Sequence, residues 1–404
     1  MRLMHLSALV CTAVLLLGAA PTASPAPSGS PTEIARSRLD TMLRTGHADA
    51  AWFADSFLAQ VTIDQVNTVL ASLTTALGAY QSIEYTPEKF VAHFARGTDD
   101  VQIHLDAQNK IDGLLFKPPV VTATSLDDAF RSLRKLQGTL AYVVVERGRT
   151  NVAALNASEP LAVGSAFKLA VLNGLVDRIR RNERRWSDVV SLQEGWKSLP
   201  SGVLQSWPAR TPLTIATYAA EMISISDNTA ADALAHITGR AAIAPYAADN
   251  FPFLTTREVF TLKSSANAKL RSAYLAAATP AARATVLRRV DALPLPAIAE
   301  LSFTAPDPEI EWHFSVSELC RLMNRVAALP LMSINPGVAE KGVFRSVAYK
   351  GGSDTGIINM TTMVTTKRGT QVCFSATLNN AAKDIDEQAF GLAYATALRY
   401  LAGR

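Results

Sequence analysis

The segment LAVGSAFKLAVL, residues 161–172, sets a lysine inside an apolar run that otherwise has the composition of a core helix. A charge buried without a partner costs several kcal/mol. Lys168 therefore either reaches water or is held for its chemistry. Ser165 stands three residues before it, a spacing that stacks both side chains on one helix face, while Val171, Leu172, Leu175, Val176 and Ile179 form the core face. An amine held against a hydroxyl can take its proton, and burial beside another cation brings a lysine pKa down toward neutrality. Because Gly164 and Ser165 open the helix, the Ser165 N–H lacks a helical partner and can face an oxyanion. Taken alone, S-x-x-K is a common chance spacing, and a snorkelling lysine explains it more simply.

Two further boxes follow. S-D-N, Ser226–Asn228, lies between the apolar helical series Ile215, Tyr218, Met222, Ile223 and the series Leu234, Ile237 that Gly239 closes, so it falls at a helix–helix junction. One use of such residues is N-capping. The other makes Ser226 a proton shuttle to a leaving nitrogen and Asn228 an amide that grips substrate while touching the lysine. The third box is K-G-G-S, Lys350–Ser353, at the end of the strand-like VAYKGGS. Its glycines let a substrate backbone lie close, with Lys350 facing a carboxylate and the Ser353 N–H facing a carbonyl oxygen. A strand-end turn with a solvated lysine is the alternative.

The chain has 404 residues and a formal net charge of +4, too weak a field to suggest nucleic acid or a membrane surface as partner. Arg2 followed by the apolar Leu6–Ala20 reads as a signal peptide within residues 1–26, cleaved between Ala20 and Ala26. Export to the periplasm or medium is expected. Val10 stands where lipidation of Cys11 needs a small residue. Residues 27–32 read as a disordered tether, residues 33–123 as an α+β unit, and residues 124–404 as a larger domain of helices packed on an antiparallel sheet. In the first unit, TEIARSRLDTMLR and TIDQVNTVLASLTTALG have helical spacing, and KFVAHFA, DVQIHLD and KIDGLLF alternate as strands. Asp99, Asp100, His104 and Asp106 read as a solvated strand edge, and PPVVTATSLDD (118–128) as a linker. In the second domain, Cys320 on a helix and Cys373 on a strand could pair in an oxidising compartment, but read first as two buried free thiols. The six histidines show no metal-ligand spacing, and no metal or organic cofactor is implied.

The order S-x-x-K, S-D-N, K-x-G on helix start, helix junction and edge strand resembles the serine β-lactamase and penicillin-binding-protein superfamily, over about residues 130–404. The resemblance implies Ser165 as nucleophile, Lys168 as its base, and Ser226 as proton shuttle assisted by Lys350. It also implies Asn228, Gly352 and Ser353 as substrate-binding positions, and a small β-lactam, ester or D-Ala-D-Ala-type substrate. Together with WFADSFLAQV, PFLTTREVF (Pro252–Phe260) and IEWHFSVSEL (Ile310–Leu319), the chain resembles the two-domain cephalosporin-esterase-like family of the clavulanic acid cluster. That similarity implies a steroid-isomerase-like, nuclear-transport-factor-like cone ahead of a class A β-lactamase-like domain. Two departures stand out. Class A enzymes use a loop carboxylate for deacylation, and here DALPLPAIAELSFTAPDPEIEWHF (Asp291–Phe314) supplies Glu300, Asp307, Glu309 and Glu311, of which Glu311 is the first choice. Gly351 also replaces the hydroxyl residue of the third box.

Overall fold

The computed structural model of the protein describes residues 29–146, 152–301, 305–340 and 342–403, so the expected signal peptide lies outside the described residues. Two compact units divide between Ala129 and Phe130.

The amino-terminal unit lays the helices Pro31–Thr45 and Ile63–Leu77 on a sheet of β1 (Tyr80–Thr86), β2 (Lys89–Phe94), β3 (Gly97–Leu105) and β4 (Ile111–Phe116), with β5 (Val120–Val121) also on β3. The first helix starts inside the stretch read as a tether. Ser30 caps it by accepting from the Glu33 N–H, and the Glu33 carboxylate accepts in return from the Ser30 N–H. Likewise β5 lies inside the expected linker. Strand β1 escapes a reading by alternation because only Ile83 of its seven residues is buried. Leu39, Met42, Leu70, Leu73 and Leu77 from the helices meet Phe90, Ala92, Phe94 and Val101 from the sheet.

Asp99 corrects the expected solvated edge. Its register opposite Ala92 puts it on the core-facing side with Val101, while Asp100 turns outward to pair with Lys89. Asp99 is fully buried, and neither carboxyl oxygen has a hydrogen-bond partner. Burial, then the nearby Asp100 carboxylate, pushes its pKa up to about 8.

The carboxy-terminal unit is built on an antiparallel sheet of order β12-β13-β14-β6-β7: β6 (Thr139–Glu146), β7 (Ala153–Leu155), β12 (Ser346–Asp354), β13 (Ile357–Thr365) and β14 (Gln371–Asn379). Two short pairs stand apart, β8 (Leu161–Ala162) with β11 (His313–Phe314) and β9 (Val189–Ser191) with β10 (Pro212–Thr214). Adjacent residues of β14 show what covers the sheet. Phe374 stacks on Tyr394 of the helix Glu387–Ala402, whereas Cys373 faces the helix Val316–Val326 on the other side. There Cys373 is disulfide-bonded to Cys320, with Cα atoms 5.9 Å apart, which corrects the expectation of two free thiols. Behind that helix lies Lys168–Arg180, tied to it by Asn173 Nδ2 donating to the Leu322 carbonyl at 3.0 Å. No helix among the described residues is long and apolar enough to cross a membrane.

Candidate active site

Ser165 sits in a tight turn, Gly164–Phe167, that runs into the helix Lys168–Arg180. Sequence spacing had suggested a regular helical start. The turn is fixed on two sides by one residue: the Trp312 carbonyl accepts from the Val163 N–H at 3.0 Å, and the Trp312 ring stacks on Phe167 with centroids 3.8 Å apart. Strand β12 passes directly over it. A Cβ on Gly352 would lie 2.2 Å from Ser165 N and 2.5 Å from Ala166 N, so only glycine lets the strand come this close. At Gly351 a Cβ would lie 2.2 Å from the Tyr349 hydroxyl, and that ring fills the space a hydroxyl-bearing residue would need.

Lys168 does not snorkel. It is fully buried, and its Nζ lies 3.1 Å from Ser165 Oγ, 3.0 Å from Ser226 Oγ, 2.5 Å from the Ser226 carbonyl and 2.7 Å from Asn228 Oδ1. All four partners are neutral. Burial lowers its pKa to about 7, against the opposing pull of Asp227 and Asp232. The Ser226 carbonyl and Asn228 Oδ1 can only accept, so they claim two amine protons. In the neutral amine this leaves the lone pair for a serine hydroxyl. Asn228 is fixed in this role by its own Nδ2, which donates to the Leu199 carbonyl at 3.0 Å.

Ser226 Oγ stands between two lysines, because Lys350 Nζ also reaches it at 3.0 Å. Lys350 is itself buried, and burial plus the adjacent Lys168 push its pKa well below the ordinary lysine range. Ser226 adopts φ +59°, a left-handed conformation unusual for a residue with a side chain. The segment from Ser198 to Leu204 holds it there. Ser201 Oγ donates to the Ser226 carbonyl at 2.7 Å, the Ser201 carbonyl accepts from Asn228 N–H, and Asp227 accepts from the N–H groups of Val203, Leu204 and Ala230.

On β12, Asp354 pairs with Ile357 across the two-residue turn at Thr355 and Gly356. Bonded and open pairs alternate along an antiparallel ladder. Ser353, one residue inside that closing pair, therefore turns its N–H off the free edge of the strand, beside the Ser165 turn.

Glu311 lies outside the lysine–serine network. Its Oε1 accepts from Lys263 Nζ at 2.7 Å, and the same ammonium donates to Asp354 at 2.6 Å. Burial, only partly offset by Lys263, raises the Glu311 pKa to about 7. The other loop carboxylates are engaged too: Glu300 accepts from Ser264 Oγ, while Asp307 and Glu309 share Arg271. Among the described residues, no three His, Cys, Asp or Glu side chains gather as a metal-ligand set. Sequence reading missed Ser201, Lys263 and Asp354. None carries a motif, and Asp354 alone had a cue, its place directly after Ser353.

The family model described as Beta-lactamase enzyme family matches residues 123–293, a span that includes Ser165, Lys168 and Ser226–Asn228. Over this span, which is under half of the chain, the protein is similar to the β-lactamase family of serine-hydrolase enzymes. Among solved structures it is similar to a β-lactamase from Sphaerobacter thermophilus DSM 20745, at 18% identity over 69% of this chain and 97% of that one, TM-score 0.48. It is also similar to a β-lactamase from Xanthomonas campestris pv. campestris, at 16% identity over 70% and 100% of the two chains, TM-score 0.47. A third is a point mutant of PBP-A, in an acyl-enzyme complex with penicillin G, at 15% identity over 71% and 99%, TM-score 0.46. No curated protein matches the chain.

Proposed function

We propose that this protein is an exported class A-like serine hydrolase that forms an acyl-enzyme on Ser165 and hydrolyses β-lactams, acting in the breakdown of these antibiotics. The observation that carries the reading is the buried amine of Lys168 within hydrogen-bond reach of both Ser165 Oγ and Ser226 Oγ. With its pKa near 7, this amine is available as a base at physiological pH. Lys168 takes the Ser165 proton as Oγ attacks the lactam carbonyl. The N–H groups of Ser165 and Ser353 receive the oxyanion. Ser226, backed by Lys350, delivers a proton to the leaving nitrogen, while Asn228 and the Gly352–Ser353 edge orient the small-molecule substrate. A disulfide between Cys320 and Cys373 supports an oxidising, extracytoplasmic location, periplasmic or secreted. The helix-on-sheet arrangement of the amino-terminal unit supports a steroid-isomerase-like, nuclear-transport-factor-like cone.

One observation favours a second reading. Glu311 is engaged by Lys263, which leaves the acyl-enzyme without a free loop carboxylate to activate water. Slow release belongs to an esterase or D-alanyl-D-alanine peptidase of the same fold, or to a penicillin-binding protein that does not turn over. Intact-mass measurement during incubation with penicillin, beside turnover of a chromogenic cephalosporin, separates these outcomes. β-Lactam hydrolysis predicts consumed substrate and a transient adduct, both absent in Ser165→Ala. A lasting adduct moves the protein to the second reading, and no adduct with no consumption refutes acylation at Ser165.

A further inference from the structure

Lys263, Glu311 and Asp354 form a buried cluster that the lysine–serine network does not use. They come from three separate places: the end of the helix Thr256–Lys263, the segment entering β11, and the end of β12. We propose that Lys263 is a positioning residue for the reaction, clamping together the two chain segments that hold the Ser165 turn and its oxyanion donors. The proposal rests on the reading of Ser165 given above.

Geometry carries the argument. The first segment is Glu311-Trp312, whose Trp312 grips the turn on both sides of Ser165, by its carbonyl at Val163 and its ring at Phe167. The second is Ser353-Asp354, which follows directly on the glycine packed against Ser165 N. Each segment presents a carboxyl group next to the residue that does the positioning. One ammonium holds both carboxyls, at 2.7 and 2.6 Å. Two charges of one sign and one of the other in a buried site leave an excess negative charge, which such a site resolves by keeping a proton. That proton explains the one polar atom here without a donor. Glu311 Oε2 is buried and unpartnered, and the neighbouring carboxyl is that of Asp354. A proton on Glu311 joins it to Asp354 and closes the cluster as a neutral set. The titratable groups facing Glu311 are Lys263 from its helix and Asp354 from β12; His313 lies two residues further along the same segment, in β11, and burial holds its pKa down. As pH rises through about 7, Glu311 loses the shared proton and the two carboxylates repel across the clamp.

The test is the rate of Ser165 acylation by penicillin in the full chain, followed by intact mass against pH. Reading acylation alone keeps the result independent of how the acyl group leaves. Lys263→Met is expected to slow acylation by about a hundredfold, the cost of about 1 Å of misplacement at reacting atoms, with the adduct still on Ser165. Lys263→Arg, which keeps the cation, is expected to recover most of that loss. The wild-type rate should rise as Lys168 loses its proton and fall again as Glu311 does. Glu311→Gln holds the hydrogen bond of the protonated state at every pH, so its profile should rise to a plateau. Should Lys263→Met not fold, the Glu311→Gln profile decides. A wild-type rate in Lys263→Met, or an alkaline fall in Glu311→Gln equal to that of wild type, overturns the clamp while leaving Ser165 acylation standing. A wild type that never forms an adduct overturns both.

Discussion

Gly352→Ala adds one methyl group at the closest approach between β12 and the Ser165 turn. Its Cβ would sit 2.2 Å from Ser165 N, 2.4 Å from the Val163 carbonyl oxygen and 2.5 Å from Ala166 N, where ordinary contact begins at 3.4 Å. All three neighbours are backbone atoms, so no side chain can swing aside. Either the strand or the turn must give way by about 1.2 Å, the difference between 2.2 and 3.4 Å. A displacement of that size at reacting groups costs about a hundredfold in rate, and overpacking of this kind costs about 1–3 kcal/mol of stability. The Ser353 N–H moves with the strand, so acylation should suffer beyond what the stability loss explains. Gly195→Ala, where a Cβ would meet nothing within 4 Å, is the matching control. The assay is the time course of penicillin adduct formation by intact mass, at a temperature where both variants are folded by circular dichroism. Gly352→Ala acylating at the rate of Gly195→Ala would refute the argument that this strand positions an oxyanion donor.

Two further predictions concern stability. Asp99 stays protonated in the fold up to about pH 8, whereas its ordinary carboxyl value is 3.8. Stability of the amino-terminal unit is therefore full below about pH 4 and falls as pH rises toward 8, by up to about 6 kcal/mol at about 1.4 kcal/mol per pH step. Asp99→Asn should flatten this dependence and raise stability at neutral pH. Hydrogen exchange of the β2 and β3 amides in the full chain, corrected for intrinsic rates, checks it, and a flat wild-type profile would count against it. Opening the Cys320–Cys373 bond frees a loop with a sequence separation of 53. By chain entropy that is worth about 4 kcal/mol, so Cys320→Ala with Cys373→Ala should melt well below wild type, and an equal melting temperature would show that the bond is idle.

What could be read from the sequence was what a local anomaly advertises. Lys168 interrupts an apolar helix, Ser226–Asn228 breaks two helices, and Lys350 stands beside paired glycines, so each feature is visible within a dozen residues. Strands β12 and β14 were visible too, the first as VAYKGGS and the second as the strand that carries Cys373. Lys263, Glu311 and Asp354 were not visible as a set, because their relation exists only after three distant segments pack. The cysteines failed for the same reason. A helix and a strand were each assigned correctly, yet which face of the strand the helix covers is a tertiary fact.

Asp99 is a different kind of miss, since the signal was present. Val101, Ile103 and Leu105 alternate along β3, and extending that period of two toward the amino terminus lands on Asp99, not on Asp100. Asp99, Asp100, His104 and Asp106 suggest a solvated edge by composition, whereas the register turns Asp99 inward. The consequence reaches beyond one residue. An ionisable side chain on an inward-facing position is the same anomaly in a strand as in a helix, and it carries the same question about what the fold gains from it. At Lys168 four neutral hydrogen-bond partners supply the answer: the amine is held at the threshold of losing its proton beside two hydroxyls. At Asp99 no partner meets either oxygen, so the fold answers with a proton instead, and the amino-terminal unit thereby acquires a stability that falls as pH rises from about 4 to about 8.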